Sequence, residues 1–163
     1  MIRAAVLSDT HGLEYSAVRA LSAIGEYDLI IHLGDFAADA EICAEKFKKP
    51  LFAVLGNCDF VRPPKGDFGY ELVVELEGVK LLLVHGHRHG IDTYSTLDAR
   101  ERALALGCSA LLYGHTHMPE VSMKDGILVM NPGSPARPRC GAKPSAGLLI
   151  VENGKLFPRI VTL

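Results

Sequence analysis

No stretch of this sequence approaches the roughly 18 consecutive apolar residues that would suggest a membrane span, so no membrane partner is expected. There is no CxxC pair. The four cysteines, Cys43, Cys58, Cys108 and Cys140, are irregularly spaced and read as free thiols rather than a disulfide framework. Charge of one sign is not in excess either. Lys and Arg total 17 and Asp and Glu total 19, and a net charge of -2 gives no global attraction to nucleic acid. No nucleic-acid partner is therefore expected, although a local basic patch stays compatible with these numbers. The start lacks the pattern of a signal peptide, because Met1 to Leu7 is short and Asp9 follows at once. A cytoplasmic location is the resulting expectation. Internal repeats, low-complexity tracts and linkers are absent, and 163 residues suit one domain over 1–163. An apolar content of 48% is ample for a packed core.

The first third alternates strand and helix. Strands are expected at Ile2 to Leu7, about Asp28 to Leu33, and Leu51 to Leu55, with helices over Glu14 to Ile24 and about Ala38 to Phe47. Gly25 and Pro50 mark the helix exits. This βαβαβ order predicts a parallel sheet with right-handed crossovers. An irregular loop follows from Asn57 to Asp67, and the pattern then changes to hairpins. Tyr70 to Leu76 and Val79 to Val84 flank the tight-turn pair Glu77-Gly78. A third helix is expected over Ser95 to Leu106. Strands follow at Ala110 to Tyr113, Ile127 to Met130, Ala146 to Glu152 and Lys155 to Val161, the last two joined by Asn153-Gly154. The mixture suggests an α/β protein with two packed sheets flanked by helices. Cys43 and Cys108 lie in helix or helix-end segments and are expected to be small buried apolar groups.

Five short apolar runs each lead into a metal-ligand residue: Ser8-Asp9-Thr10-His11, Gly34-Asp35, Gly56-Asn57-Cys58-Asp59, His85-Gly86-His87 and Gly114-His115-Thr116-His117. Ligands of open α/β sheets bind beyond the carboxyl ends of the strands. One site is thus expected to collect Asp9, His11, Asp35, Asn57, His85, His115 and His117, enough for two divalent metal ions. Asp9 and His11, and likewise His115 and His117, stand two apart, which in extended chain puts both on one side. Asp35 is the candidate bridge, since a carboxylate has two oxygens. Nitrogen and oxygen donors favour Mn, Fe, Ni, Co or Zn, with Mn the leading expectation. Two such ions against two carboxylates leave a positive site suited to an anionic ester. Two ions about 3.5–4 Å apart can generate hydroxide near neutral pH and clamp an in-line displacement.

These five motifs, in this order over residues 9 to 117, resemble those of the calcineurin-like metallophosphoesterase superfamily. The short length, Cys58 and the run Asn131-Pro132-Gly133-Ser134 resemble its small bacterial and archaeal phosphodiesterase branch. The resemblance implies a four-layer αββα sandwich with two mixed β-sheets. It implies that Asp9, His11, Asp35 and His117 hold one metal, and that Asp35, Asn57, His85 and His115 hold the second. The implied activity is hydrolysis of a small phosphoester, a phosphodiester above all, by in-line attack of a metal-bridging hydroxide. A phosphomonoesterase or nucleotide pyrophosphohydrolase is the enzymatic alternative. The branch is also similar to the retromer scaffold subunit, so a catalytically weak interaction scaffold is the alternative of another class, and a homo-oligomer is compatible with either.

One departure concerns Cys58, where many members of that superfamily carry a His thought to contact phosphate or protonate the leaving oxygen. A thiol donates only weakly, and cations nearby would lower its pKa further. Asn57, Cys58 and His87 form the candidate catalytic set, with His87, His89 or solvent expected to assist the leaving group. His32 reads as a core histidine, Asp59 as a loop-fixing carboxylate, and Asp39 and Asp98 as helix-start or helix-surface residues. Arg88 is read equally as a phosphate contact or a solvated charge. Arg137, Arg139 and Lys143 are read as an ordinary basic loop before a substrate rim.

Overall fold

The computed structural model describes residues 1–163. Its first sheet takes β1 (Ile2–Leu7), β2 (Leu29–His32) and β3 (Leu51–Ala53) in parallel, with α1 (Glu14–Ile24) and α2 (Ala37–Phe47) as the crossovers. The second is opened by the hairpin of β4 (Glu71–Leu76) and β5 (Val79–Val84). After α3 (Leu97–Ala105) it is completed by β6 (Ala110–Leu112), β7 (Pro119–Lys124) and β8 (Ile127–Pro132). The chain then returns through β9 (Ser145–Glu152) and β10 (Lys155–Thr162) to the first sheet. The strand orders are β10-β9-β1-β2-β3 and β4-β5-β6-β8-β7. Both sheets are mixed: β9 runs antiparallel to β1, while β5, β6 and β8 are parallel and β7 is antiparallel to β8.

The layering follows from which face of each strand is apolar. Ala4 and Val6 of β1 and Leu29 and Ile31 of β2 face Leu81, Leu83, Leu112 and Met130 of the other sheet in the central core. The alternate residues Ala5, Leu7 and Ile30 pack under Ala17, Leu21 and Ile24 of α1 and Cys43 of α2. On the opposite side Leu82, Val84, Leu111 and Val129 pack under Ala99 and Ala103 of α3. The result is helix, sheet, sheet, helix. Strands buried on both faces need continuous apolar runs, which is why β1, β5 and β6 read so clearly. Burying a large aliphatic side chain such as Leu81 contributes about 1.5–3 kcal/mol, so the central core dominates the stability.

Several boundaries and one element differ from the sequence expectation. Strand β3 ends at Ala53 and helix α3 begins at Leu97, two residues inside the expected limits. Strand β7 was not expected at all. It starts with a proline, carries polar residues on one face and lies at a sheet edge, so its pattern is weak. Its hairpin to β8 turns at Asp125-Gly126, both at positive φ (52° and 82°). That is the conformation also found at Glu77-Gly78 and Asn153-Gly154, as the tight-turn pairs predict.

Candidate metal centre

The carboxyl ends of β1, β2, β5 and β6 open toward one edge of the sandwich, and the loops beyond them carry the candidate ligands. Asp9, His11, Asp35 and His117 each offer one atom to a group lying within 4.8 Å. His117 Nε2 stands 3.1 Å from Asp9 Oδ1 and 3.2 Å from His11 Nε2. The two oxygens of Asp35 diverge: Oδ2 is 3.6 Å from His11 Nε2 and Oδ1 is 3.5 Å from His85 Nε2. His85 Nε2 also faces Asn57 Oδ1 at 3.1 Å, and the His85 and His115 rings lie edge to face at 5.1 Å. All seven residues expected to converge are therefore neighbours around Asp35.

The local backbone that achieves this is not extended strand. Strand β1 ends at Leu7, and Asp9, His11, Asp35, His115 and His117 all take left-handed φ between 50° and 67°. Asp9 and His11 do reach one ligand group, through left-handed backbone rather than strand geometry, whereas His117 joins that group without His115, which lies against His85. Non-glycine residues pay about 1–2 kcal/mol for this conformation, and such strain collects at functional sites held by their surroundings.

Those surroundings are visible. Asp59, buried behind the loop, accepts backbone N–H bonds from Asp35 (2.9 Å), Ala37 (2.7 Å) and Gly56 (2.6 Å). It thereby ties the β2–α2 turn to the loop after β3, although burial still raises its pKa against the pull of those donors. Cys58 N–H donates to Asp35 Oδ1 at 2.8 Å. A Cβ at Gly56 would overlap the Asp35 amide and Oδ1, so only glycine permits this approach. Asn131 Nδ2 donates to the Gly114 carbonyl (2.9 Å) and Thr116 Oγ1 (3.0 Å), fixing the loop that carries His115 and His117. Ser134 Oγ donates to the Asp9 carbonyl at 2.8 Å. Asn131-Pro132-Gly133-Ser134 thus ends β8 and clamps two ligand loops. Its sequence signal was noted, but not the clamping role of Asn131, because the contacts span 15 and 125 residues. Ser8, whose Oγ donates to Asp9 Oδ2 at 2.6 Å, carried no sequence signal.

The hydrogen-bond pattern tests whether a cation suits the site. His85 Nδ1 must donate to the Leu33 carbonyl (2.8 Å) and His117 Nδ1 to the Arg137 carbonyl (2.5 Å), because a carbonyl only accepts. Their Nε2 atoms in the neutral rings are then lone pairs, facing Asn57 Oδ1 and Asp9 Oδ1, which are also lone pairs. Asp9 Oδ2 accepts from Ser8 and from His115 N–H, whereas the buried Oδ1 has no hydrogen-bond donor. A buried acceptor such as Asp9 Oδ1, facing an imidazole lone pair with no donor, suits a cation. In the metal-free chain a proton partly answers. Burial opposes the charge on His117, but Asp9 overcomes it and raises the His117 pKa. Burial likewise works against ionised Asp9, yet His117, His85 and Ser8 hold its pKa low. The donor set, carboxylate and imidazole, fits hard to borderline divalent ions.

The remaining residues sort themselves around this centre. His32 accepts from Gly34 N–H (3.3 Å), leaving Nε2–H for Thr10 Oγ1 at 3.2 Å. Burial pushes its pKa down to about 4, so it is a neutral core histidine supporting both loops. His89 Nε2 pairs with Glu71 at 3.2 Å, and Arg102 holds the same carboxylate, so this imidazole is engaged away from the ligands. His87 adjoins His85 and His115, with ring centroids 5.4 and 6.3 Å away. Burial first, then those two rings, push its pKa down to about 4. Neutral His87 is a hydrogen-bonding group and a poor proton source. Without bound cations, burial first and then the Asp35 carboxylate push the Cys58 thiol up to about 11. Asp39 is in the first turn of α2 but fully buried, binding Gly12 N–H and Arg62. Arg137 and Arg139 are exposed, and the loop meets the site through the Arg137 carbonyl rather than through charge. Cys43 and Cys108 are buried, as expected. No helix is long and apolar enough to cross a membrane.

Known proteins resemble this chain in sequence and in fold. A model of the calcineurin-like phosphoesterase superfamily domain matches residues 2–154. YsnB of Bacillus subtilis, named a probable metallophosphoesterase, is 37% identical over 149 residues, covering 91% of this chain and 83% of that one. Phosphodiesterase YfcE of Escherichia coli is 36% identical over 105 residues, 61% of this chain and 52% of that one. The solved YfcE structure, described as that of a phosphoesterase, matches with TM-score 0.68 and 26% identity, covering 91% of this chain and 88% of that one. Vacuolar Protein Sorting 29 from Cryptosporidium parvum shares the fold with TM-score 0.75 at 21% identity, covering 98% and 96% of the two chains. With the family model spanning residues 2–154 and YsnB aligning over 91% of this chain, the protein belongs to the calcineurin-like phosphoesterase superfamily and is a metal-dependent phosphoester hydrolase.

Proposed function

We propose that this hydrolase is a dinuclear phosphodiesterase acting by in-line displacement at phosphorus. Asp9, His11, Asp35 and His117 would hold one ion, and Asp35, Asn57, His85 and His115 the other. The observation that carries this reading is the pair of close contacts between candidate ligand atoms on either side of Asp35. His117 Nε2 faces Asp9 Oδ1 at 3.1 Å, and His85 Nε2 faces Asn57 Oδ1 at 3.1 Å. The diverging oxygens of Asp35 support its sharing between the two halves. Two divalent ions there would supply Lewis acidity toward phosphoryl oxygens and acidify water as the source of the nucleophile. Mn leads among the candidate metals, with Ni, Fe, Co and Zn compatible with the same donors.

The chain's own residues hold and orient. The Leu33 and Arg137 carbonyls fix the tautomers of His85 and His117, so that Nε2 is available on each. Exposed Asn57 brings its amide to the mouth of the site. Neutral His87 and the protonated Cys58 thiol offer at most weak donation to the leaving oxygen. That favours esters whose leaving group needs little protonation. The name of YfcE, a phosphodiesterase, supports diesters over monoesters.

The test is a Mn-reconstituted assay on an aryl phosphodiester and the matching monoester. Hydrolysis of the diester should exceed that of the monoester. Asn57→Ala and His85→Ala should each lower the rate by about a hundredfold or more. Tight binding of metal with no hydrolysis of any phosphoester would overturn the proposal in favour of an interaction scaffold.

A further inference from the structure

We infer that the cleft beside the metal centre, walled by Phe60, Tyr70, His87 and Arg88, binds an aromatic group of the phosphodiester, so that the substrates are aryl or nucleoside esters rather than alkyl ones. The inference rests on the phosphodiesterase reading and adds the identity of the organic group. The cleft measures about 390 Å3, within the range of small-molecule sites. It is continuous with the centre, because Asn57 and His87 line both. A phosphoester held at the ions would therefore project one of its organic groups into it.

The walls present flat π surfaces. Arg88 lies over the Tyr70 ring with its guanidinium carbon 3.5 Å from the centroid. Tyr70 in turn meets the edge of His87 at 5.6 Å. Arg88 is exposed, lines the cleft, and its side chain makes neither an ion pair nor a hydrogen bond with the rest of the chain, so its donors are unpaired. Guanidinium planes accept an aromatic ring on either face. Phe60 lines the same cleft and stands 80% exposed, an exposure that an incoming ring would relieve.

This rim is built rather than loose. Arg62 pairs with buried Asp39 at 3.1 Å, and Lys65 N–H and Gly66 N–H donate to the Glu41 carboxylate at 2.9 and 2.6 Å. Val61 N–H closes a turn onto the Cys58 carbonyl at 3.0 Å. Phe60 is carried between these anchors, which reduces the ordering cost on binding.

The experiment is calorimetric binding of phenylphosphonate and cyclohexylphosphonate to the Mn-loaded protein. Neither carries a cleavable ester, and their rings have similar bulk but differ in aromaticity. Phenylphosphonate is expected to bind tighter by about fivefold or more. In Phe60→Ala and Arg88→Ala the ratio of the two affinities should fall toward one. Equal affinities in the parent protein, or a preference that survives both substitutions, would overturn the subsite while leaving the diesterase reading intact if diesters are still hydrolysed. A phenyl preference in a protein that hydrolyses no phosphoester would leave the subsite standing and remove the catalytic reading. Failure of both phosphonates to bind would overturn the subsite, and the diesterase reading would stand or fall on diester hydrolysis alone.

Discussion

Replacing Asp59 by Asn should weaken the fold and the metal centre together, and the size of both effects can be worked from its contacts. Asp59 Oδ2 accepts from Asp35 N–H and Gly56 N–H, and Oδ1 from Ala37 N–H. An amide can keep its oxygen in the Oδ2 position. Its NH2 group then points at the Ala37 N–H, replacing a charge-assisted bond with two opposed donors. Losing a hydrogen bond to a charged acceptor removes about 1.5–3 kcal/mol, and the two retained bonds weaken because the acceptor is neutral. Against this, the amide no longer buries a charge, which at 4% exposure is a real relief. The net loss should be about 1–3 kcal/mol. With a urea slope of about 2 kcal/mol per molar, the unfolding midpoint of the metal-free variant should fall by about 0.5–1.5 M. Ala37 is released, two residues after the candidate ligand Asp35, and the Asp35 N–H bond itself weakens, so affinity for Mn should fall about 10- to 100-fold, the range found when groups that orient ligands are removed. Urea unfolding of the metal-free protein and a metal titration of the same preparation measure both. An unchanged midpoint with unchanged affinity would refute the reasoning. Lost affinity at an unchanged midpoint would mean that Asp59 acts on the metal directly rather than through the backbone.

Other perturbations probe separate parts of the account. Asn131→Ala leaves the Gly133 N–H without its acceptor and frees the loop of His115 and His117. It should cost about 1–3 kcal/mol in thermal or chemical unfolding and weaken metal binding. Cys58→His should raise kcat on diesters with poor alkyl leaving groups more than on nitrophenyl esters, since it supplies a proton donor; a uniform change across leaving groups would count against a missing acid. Arg102 first, with His89, holds the Glu71 pKa below its ordinary value. Its stabilisation is present above the unfolded carboxylate pKa, about 4.3, and is lost as pH falls through the lower folded value. Glu71→Gln should therefore be less stable than the parent at neutral pH, with the gap closing below about pH 4 in pH-dependent unfolding.

Much of this architecture was legible in the chain because its signals are local. The continuous apolar runs of β1, β5 and β6 and the Glu77-Gly78 and Asn153-Gly154 turns each specify their element within a few residues. The ligand motifs were legible for a similar reason: each sits directly after such a run. What was not legible depends on contacts far apart in sequence. The polar edge strand β7 is stabilised by pairing to β8 rather than by its own pattern. The left-handed backbone at Asp9, His11, Asp35, His115 and His117 occurs in loops braced by Asp59, Asn131 and Ser134 from elsewhere in the chain. The engagement of His89 depends on Glu71, 18 residues away, whose carboxylate is shared with Arg102, 31 residues further along the chain from Glu71.

The most direct test of the central claim is anomalous diffraction at the Mn edge from crystals grown with saturating Mn. The account predicts two peaks per chain, one among Asp9, His11, Asp35 and His117, the other among Asp35, Asn57, His85 and His115, with Asp35 between them. A single peak at saturation, or peaks that leave Asp35 outside the coordination of either ion, would contradict it.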